Sequence, residues 1–336
     1  MSAVDQSVSD LMTTVFADYR AERAEPVPGD PELWRRLDEL GLVRLTGSEE
    51  RGGSGAGWRE AAELLRAAAR HGVRAPLAEH DLLACWLLDE AGIGPDGARR
   101  TICLLGDDGT ATAVPWVSEC ERAVLVWRRG GKWRVTDAAT ANLKVELGKN
   151  LAGEPRDRVS ADLGMFPAVS VPDELIESLL LRAALVRAVQ VCAALERIVE
   201  LAVTHASDRT QFGRPLTKFQ AVQHLVVDAA AEAELARAAT EAALAEAVRT
   251  DWADPSLEFR IAAARSCAGH AASTVVRNAH QVHGAIGTTR EHQLPEFTAA
   301  ALAWRSEFGS VRHWDELLTD LATKAGRSGL WPLVSA

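Results

Sequence analysis

Tyrosine occurs once in 336 residues, and aromatic side chains together make up 5% of the chain. Ala, Leu, Val, Glu and Arg dominate instead, so the bulk of the chain is expected to be helical. Excess positive charge is also missing: 37 Lys and Arg face 47 Asp and Glu, a net charge of -10. A phosphate backbone is recognised by clustered Lys and Arg, so a nucleic-acid partner is excluded. No uninterrupted apolar run approaches the roughly 18 residues of a membrane span. The N-terminus lacks a basic stretch followed by an apolar core, and a cytoplasmic protein without a membrane partner is expected. The five cysteines, at positions 85, 103, 120, 192 and 267, show no C-x-x-C spacing and are read as reduced. Nine histidines form no H-x-x-x-H or H-E-x-x-H pattern, and His280 with His283 lacks a nearby carboxylate pair, so no metal is expected.

What is present falls into three stretches. Residues 1–100 read as a helical domain, with segments at Val8 to Ala21 (apolar stripe Val8, Leu11, Val15, Phe16), Pro31 to Leu40, Trp58 to His71 and Leu77 to Ala91. Between them, Thr46 to Trp58 contains Gly52, Gly53, Gly55 and Gly57 without a phosphate-loop pattern, and a flexible connection is expected. Residues 101–171 carry short runs with turn signals at Gly106 to Gly109 and Gly130-Gly131, which predict strands and hairpins. Residues 172–326 return to long helical segments, expected to form a bundle of four long helices and a shorter one.

The stretch from His205 to His224 closes one of these helices and opens the next. Asp208, Gly213 and Pro215 separate two helical patterns, so Arg209 to Gly213 must form a short exposed turn. Thr217 with Gln220 is a capping-box pattern that predicts a helix start just after Pro215. An arginine beside free backbone N–H groups suits a diphosphate, because it adds charge-assisted hydrogen bonds to those the backbone supplies.

The string RTQFGRPLTKFQAVQH, from Arg209 to His224, resembles the R-x-Q-F-G…F-Q-x-x-Q-H signature of the acyl-CoA dehydrogenase family. Gln281-Val-His-Gly284-Ala-Ile-Gly287 resembles that family's Q-x-x-G-G-x-G segment, and Ala61 to Gly92 is similar to the N-terminal helical domain of its actinobacterial-type members. The resemblance implies a mostly α, α+β fold: an N-terminal helical domain, a reduced middle β domain and a C-terminal four-to-five-helix bundle. It implies FAD as cofactor, with Arg209, Gln211 and Phe212 reaching across a subunit interface to a neighbour's FAD. Gln281, Gly284 and Gly287 would meet the adenosine diphosphate, with Ala285 in place of the family's second glycine. The implied reaction is α,β-dehydrogenation of an acyl-CoA thioester with FAD as hydride acceptor, electrons passing to an electron-transfer flavoprotein. The implied assembly is a homo- or hetero-oligomer built as a dimer of dimers.

Departures from the family pattern leave two readings open. The family's Y-E-G-T loop, which carries the catalytic base, corresponds to Arg305 to Ser310; Glu307 is the nearest carboxylate, displaced by one position, and the alternative base position holds Ala183. The flavin-facing strands of the usual middle domain are absent, the nearest match offering Trp116 or Ser118, with Trp116 expected in the core. Glu291 and His292 resemble a W-E-H segment in which Trp has become Arg290, and read as an exposed ion pair. The chain is then either a catalytic flavoenzyme or a non-catalytic partner lending its RTQFG finger to another subunit's FAD, similar to the short chains of heterotetrameric steroid dehydrogenases. A flavin monooxygenase of the same fold ranks last.

Overall fold

The computed structural model describes residues 4–23 and 25–335. Two compact units divide inside one long helix, Met1–Ala183 and Ala184–Ala336. In the first, α1 (Gln6–Ala21) starts at Asp5, whose carboxylate accepts from the Ser7 N–H, and buries Met12, Val15, Phe16 and Tyr19. This stripe is rotated from the expected one, leaving Leu11 exposed. Helix α2 (Pro31–Glu39) is capped by Asp30 with Pro at its first position, and α3 (Trp58–Arg70) buries an Ala- and Leu-rich face. The last expected helix begins as a π-helix over Ala78–Cys85, buried at all eight residues, and only then becomes α4 (Trp86–Glu90).

The glycine-rich loop is not a slack connection. Backbone bonds from Gly53 to Ser48, Ser54 to Arg44, Gly55 to Gly47 and Ala56 to Leu45 fold it back on itself. Buried Asp81 accepts from both the N–H and the hydroxyl of Thr46, and burial pushes its carboxyl up to about 6. At Gly53 a Cβ would stand 2.1 Å from the Gly47 carbonyl oxygen, so glycine serves the close approach of two backbones.

The chain from Arg100 to Val171 forms two small sheets. One has the order β1 (Arg100–Leu104), β3 (Arg122–Arg129), β4 (Lys132–Ala139), β7 (Val169–Val171); the other β2 (Thr110–Pro115), β6 (Arg156–Ser160), β5 (Lys144–Glu146). Only β1 and β3 run parallel, and no helix crosses over between them, so this is not a βαβ sheet. The turn at Gly130-Gly131 makes the expected hairpin, whereas that at Gly106 to Gly109 carries the chain from one sheet to the other. Strand β3 is buried on both faces: Ala123, Leu125 and Trp127 enter a core with Cys103, Val114 and Val159, and Val124 and Val126 are equally hidden. That explains its unbroken apolar run. Trp116 is buried, with Ser118 exposed two residues on.

Helix α5 (Asp173–Asp208) leads into the second unit. By length and composition it is apolar enough to cross a membrane, but 78% of its most apolar window is buried inside the protein, as in the core helix of a bundle. Helices α6 (Gln220–Arg249) and α7 (Leu257–His283) pack along their lengths. The buried residues of α6 are Ala229, Ala233, Ala236, Thr240, Ala243, Leu244 and Ala247, mostly small side chains at helical spacing that let neighbouring backbones approach closely. Helix α8 (Leu294–Trp304) follows, and α9 (Val311–Ser335) runs beyond its expected end, kinking at Gly326. The predicted capping box is not formed: Thr217 sits in a short 3-10 turn, Phe219 precedes α6 without a side-chain cap, and the Gln223 amide donates instead to the Thr217 carbonyl.

Candidate cofactor site

The finger is a two-stranded hairpin, β8 (Thr210–Gln211) against β9 (Arg214–Pro215). Phe212 and Gly213 form its tip with φ of 52° and 77°. Glycine tolerates that left-handed pair, but a phenylalanine there costs about 1–2 kcal/mol, and its ring is 89% exposed. The base of the hairpin is fixed by the Arg209 N–H donating to the His205 carbonyl and the Leu216 N–H donating to the Arg209 carbonyl, both at 2.9 Å. The Arg214 guanidinium lies over the Phe219 ring at 4.2 Å and braces the far side.

Arg209 and Gln211 share one cavity of about 570 Å³ with Gln281, Gly284, Ala285 and Ile286, so the two motifs read from the sequence meet in one place. Phe212 is outside that lining, and so is Gly287. The Arg209 side chain is exposed and makes no hydrogen bond or ion pair among the described residues. Gly284 ends α7 with φ 64° and ψ -142°, a conformation open only to glycine, and nothing lies within 4 Å of where its Cβ would be. An uncommitted guanidinium beside a bare backbone turn fits a diphosphate-bearing cofactor, and Ala285, exposed on the same turn, adds only a methyl group to that approach.

Gly287 serves packing. A Cβ there would fall 2.7 Å from the His283 Cβ and 3.1 Å from Leu294 Cδ2. Gly287→Ala is expected to lower stability by about 1–3 kcal/mol through overpacking, checked by thermal denaturation; an unchanged midpoint would show that the turn relaxes freely.

Three histidines the sequence pattern did not connect converge behind this cavity: His205 from α5, His283 from α7 and His292 from the loop before α8. The signal was available, since one lies in the finger stretch, one in the glycine motif and one in the W-E-H-like segment. His292 is therefore not half of an exposed ion pair. Their nitrogens fall within 4.8 Å of one another, a spacing that invites a metal. The ring geometry opposes it: His205 and His283 are stacked at 27°, so their in-plane lone pairs do not converge on one point, and the His292 Nδ1 already accepts from the Leu294 N–H.

Glu307 occupies a different setting, in the turn after α8. Its Oε2 accepts from the Nε of Arg187 at 2.8 Å, and Arg187 is 1% exposed. Arg187 also donates to the Gln190 amide oxygen, and its guanidinium lies 5.2 Å from the Phe308 ring centroid. One terminal nitrogen of buried Arg265 caps the same turn, donating to the carbonyls of Arg305, Glu307 and Gly309. Burial, then the charge of Arg187, presses the Arg265 guanidinium down to about 9, with Glu307 opposing. Sequence reasoning missed both arginines; their only signal was a cation inside an otherwise apolar helical run.

Two family models account for most of the chain: the acyl-CoA dehydrogenase N-terminal domain matches residues 2–93 and the C-terminal domain residues 174–311. The chain belongs to the acyl-CoA dehydrogenase family. It is 28% identical over 280 residues to the acyl-CoA dehydrogenase IpdE2 of Mycolicibacterium smegmatis, covering 82% of this chain and 83% of that protein. It is also 28% identical to FadE34 of Mycobacterium tuberculosis over 89% of this chain, which spans only 43% of that longer protein. Among solved structures, the Tcur3481-Tcur3483 steroid ACAD variant matches with a TM-score of 0.82 at 21% identity over 95% of this chain and 97% of the matched one. The ChsE4-ChsE5 complex of Mycobacterium tuberculosis matches equally well, TM-score 0.82 at 20% identity, over 96% and 97%. The architecture is that of an acyl-CoA dehydrogenase: helical N-terminal domain, small-sheet middle and helical C-terminal domain.

Proposed function

We propose that this chain is the FAD-completing subunit of a heteromeric acyl-CoA dehydrogenase, acting on an acyl-CoA thioester in the cytoplasm and passing electrons to an electron-transfer flavoprotein. Its parts would be residues 1–100, 101–171 and 172–326. FAD, when bound, supplies the hydride acceptor. The chain's own residues bind and orient it: Arg209 and Gln211 from the finger, with Phe212 at its tip, and Gln281 and Gly284 from the turn at the end of α7, Gly287 holding that turn in place.

The observation that carries the non-catalytic reading is the bond between Glu307 and Arg187. A proton taken up by this carboxylate would remove the counter-charge from a guanidinium that has almost no water, a loss of several kcal/mol. Glu307 is built as a counter-ion, and Ala183 leaves the other base position empty. The base would then come from a partner chain. The paired names of two matched structures, the Tcur3481-Tcur3483 steroid ACAD variant and the ChsE4-ChsE5 complex, support looking first for such a partner, and the first of them for steroid-derived acyl-CoA substrates.

The test is the visible flavin spectrum of the chain purified alone and after co-expression with an acyl-CoA dehydrogenase partner. The expected result is a colourless or sub-stoichiometric chain alone and a yellow, acyl-CoA-bleachable complex. One FAD per chain in the protein alone, bleached by acyl-CoA, would make it a complete enzyme and end this proposal.

A further inference from the structure

Two imidazoles, those of His205 and His283, line the cavity that Arg209 also lines. His205, in the last turn of α5, stacks on His283 with ring centroids 4.4 Å apart, and His292 meets His283 edge-on at 4.7 Å. The His283 Nδ1 lies 2.7 Å from the Ala279 carbonyl, which can only accept, so this nitrogen carries the proton. Its Nε2 is then a bare lone pair, buried and without a hydrogen-bond partner among the described residues. His292 accepts from the Leu294 N–H through Nδ1 at 3.0 Å and so carries its proton on Nε2. The ring of His205 makes no hydrogen bond among the described residues and is only half-buried, at the cavity itself.

We propose that His205 is a second cationic contact for the anion that enters beside Arg209, protonated only when that anion is present, so that diphosphate binding takes up a proton. The inference rests on reading the cavity as a diphosphate site. In the free protein every influence but one keeps the ring neutral: burial first, then His292 and Arg209, lower its proton affinity, and only Asp208 raises it. His283 is pushed down to about 4 by burial and by the charges of His205, His292 and His280, and burial also lowers His280 and His292. Of the cluster, His205 can take a proton with the least loss, because His283 is buried and a second proton on His292 would occupy Nδ1 and break its hydrogen bond from the Leu294 N–H.

A diphosphate reverses this balance. An anionic oxygen within about 4–6 Å favours the charged imidazole by roughly ten- to a thousandfold. The sign follows from linkage: the proton affinity is depressed in the free state and raised in the bound state, so binding takes up a proton. Affinity strengthens as pH falls through the bound-state value and levels off below the free-state one.

Isothermal titration of FAD, and separately of ADP, into the assembly that carries the site gives the proton count when run at pH 7.5 in two buffers of different ionisation heat. The expected result is net uptake of up to one proton per site and a Kd that tightens about three- to tenfold between pH 8 and pH 6.5. His205→Gln should abolish the uptake and flatten the pH profile, and His205→Asn gives the same comparison if the first variant folds poorly. Tight binding weakened by Arg209→Ala but with no proton exchange would overturn this inference alone. Uptake that survives in the His205 variants and vanishes in His292→Gln would assign the proton elsewhere and overturn it too. No binding of either nucleotide, or binding indifferent to Arg209→Ala, would remove the diphosphate reading and this inference with it.

Discussion

Replacing Glu307 by alanine should destabilise the C-terminal helices by about 3–5 kcal/mol, the cost of removing one partner from a buried ion pair. Glu307 is the carboxylate held by Arg187, whose side chain is 1% exposed, while the Glu307 side chain itself is 17% exposed. Without it, the charge of Arg187 that already presses Arg265 down loses the opposing charge of Glu307. The turn it sits in is under further constraint, with Phe308 at φ 52° and Gly309 at φ 112° packed on Trp314. Glu307→Gln keeps an acceptor for the Arg187 Nε but not the charge, so its loss should be smaller, about 1–3 kcal/mol. Thermal unfolding measures both, and Arg187→Met in the Glu307→Ala background should recover part of the loss. A change under about 1 kcal/mol for alanine would mean the pair is solvated and the counter-ion role is wrong.

The same substitution separates the two functional readings. A positioned base contributes roughly 10²–10⁴-fold, so if Glu307 is the base, Glu307→Gln collapses bleaching by acyl-CoA even in fully folded protein. If it is a counter-ion, bleaching by the assembled complex follows the folded fraction alone.

How far the sequence carried the reading depended on whether the signal was local. The finger was legible because Asp208, Gly213 and Pro215 punctuate two helical patterns, and the structure places the hairpin there. The start of the second helix at Pro31 was equally local. The two-sheet arrangement was not, because nothing in Gly106 to Gly109 says whether the next strand pairs with the last or leaves for another sheet. The glycine-rich loop misled because its order comes from backbone hydrogen bonds that no side-chain pattern announces, and its start at Thr46 is held by Asp81, 35 positions away in the chain. Gly287 is a cofactor residue by motif, and the close approach of His283 and Leu294, which the motif does not announce, gives it a packing role as well. Each histidine of the cluster stood in a segment already singled out, but their meeting, like the Arg187–Glu307 pair, joins elements separated by as many as 120 positions, and only the folded chain states which polar groups share a site.

Arg209→Ala should weaken FAD binding by ten- to a hundredfold, about 1.5–3 kcal/mol for one charge-assisted contact, and leave the fold intact. The two halves of that statement have separate grounds. The guanidinium is exposed and bonds to nothing among the described residues, so truncating it removes no folded-state contact and should change stability by less than about 0.5 kcal/mol. The finger does not depend on it either, since Arg209 ties the hairpin through backbone N–H and carbonyl groups that alanine retains. What is lost is a planar cation at the rim of the cavity shared by Gln281 and Gly284. Arg209→Lys should restore part of the affinity, because it returns the charge without the forked donor geometry. The deficit of the alanine variant should shrink as salt rises, since an exposed charge is screened. Equilibrium dialysis of FAD against wild-type and variant assemblies, at low and high salt, measures all three effects. Equal FAD retention by the alanine variant at low salt, with the assembly unchanged, would reject Arg209 as a diphosphate ligand.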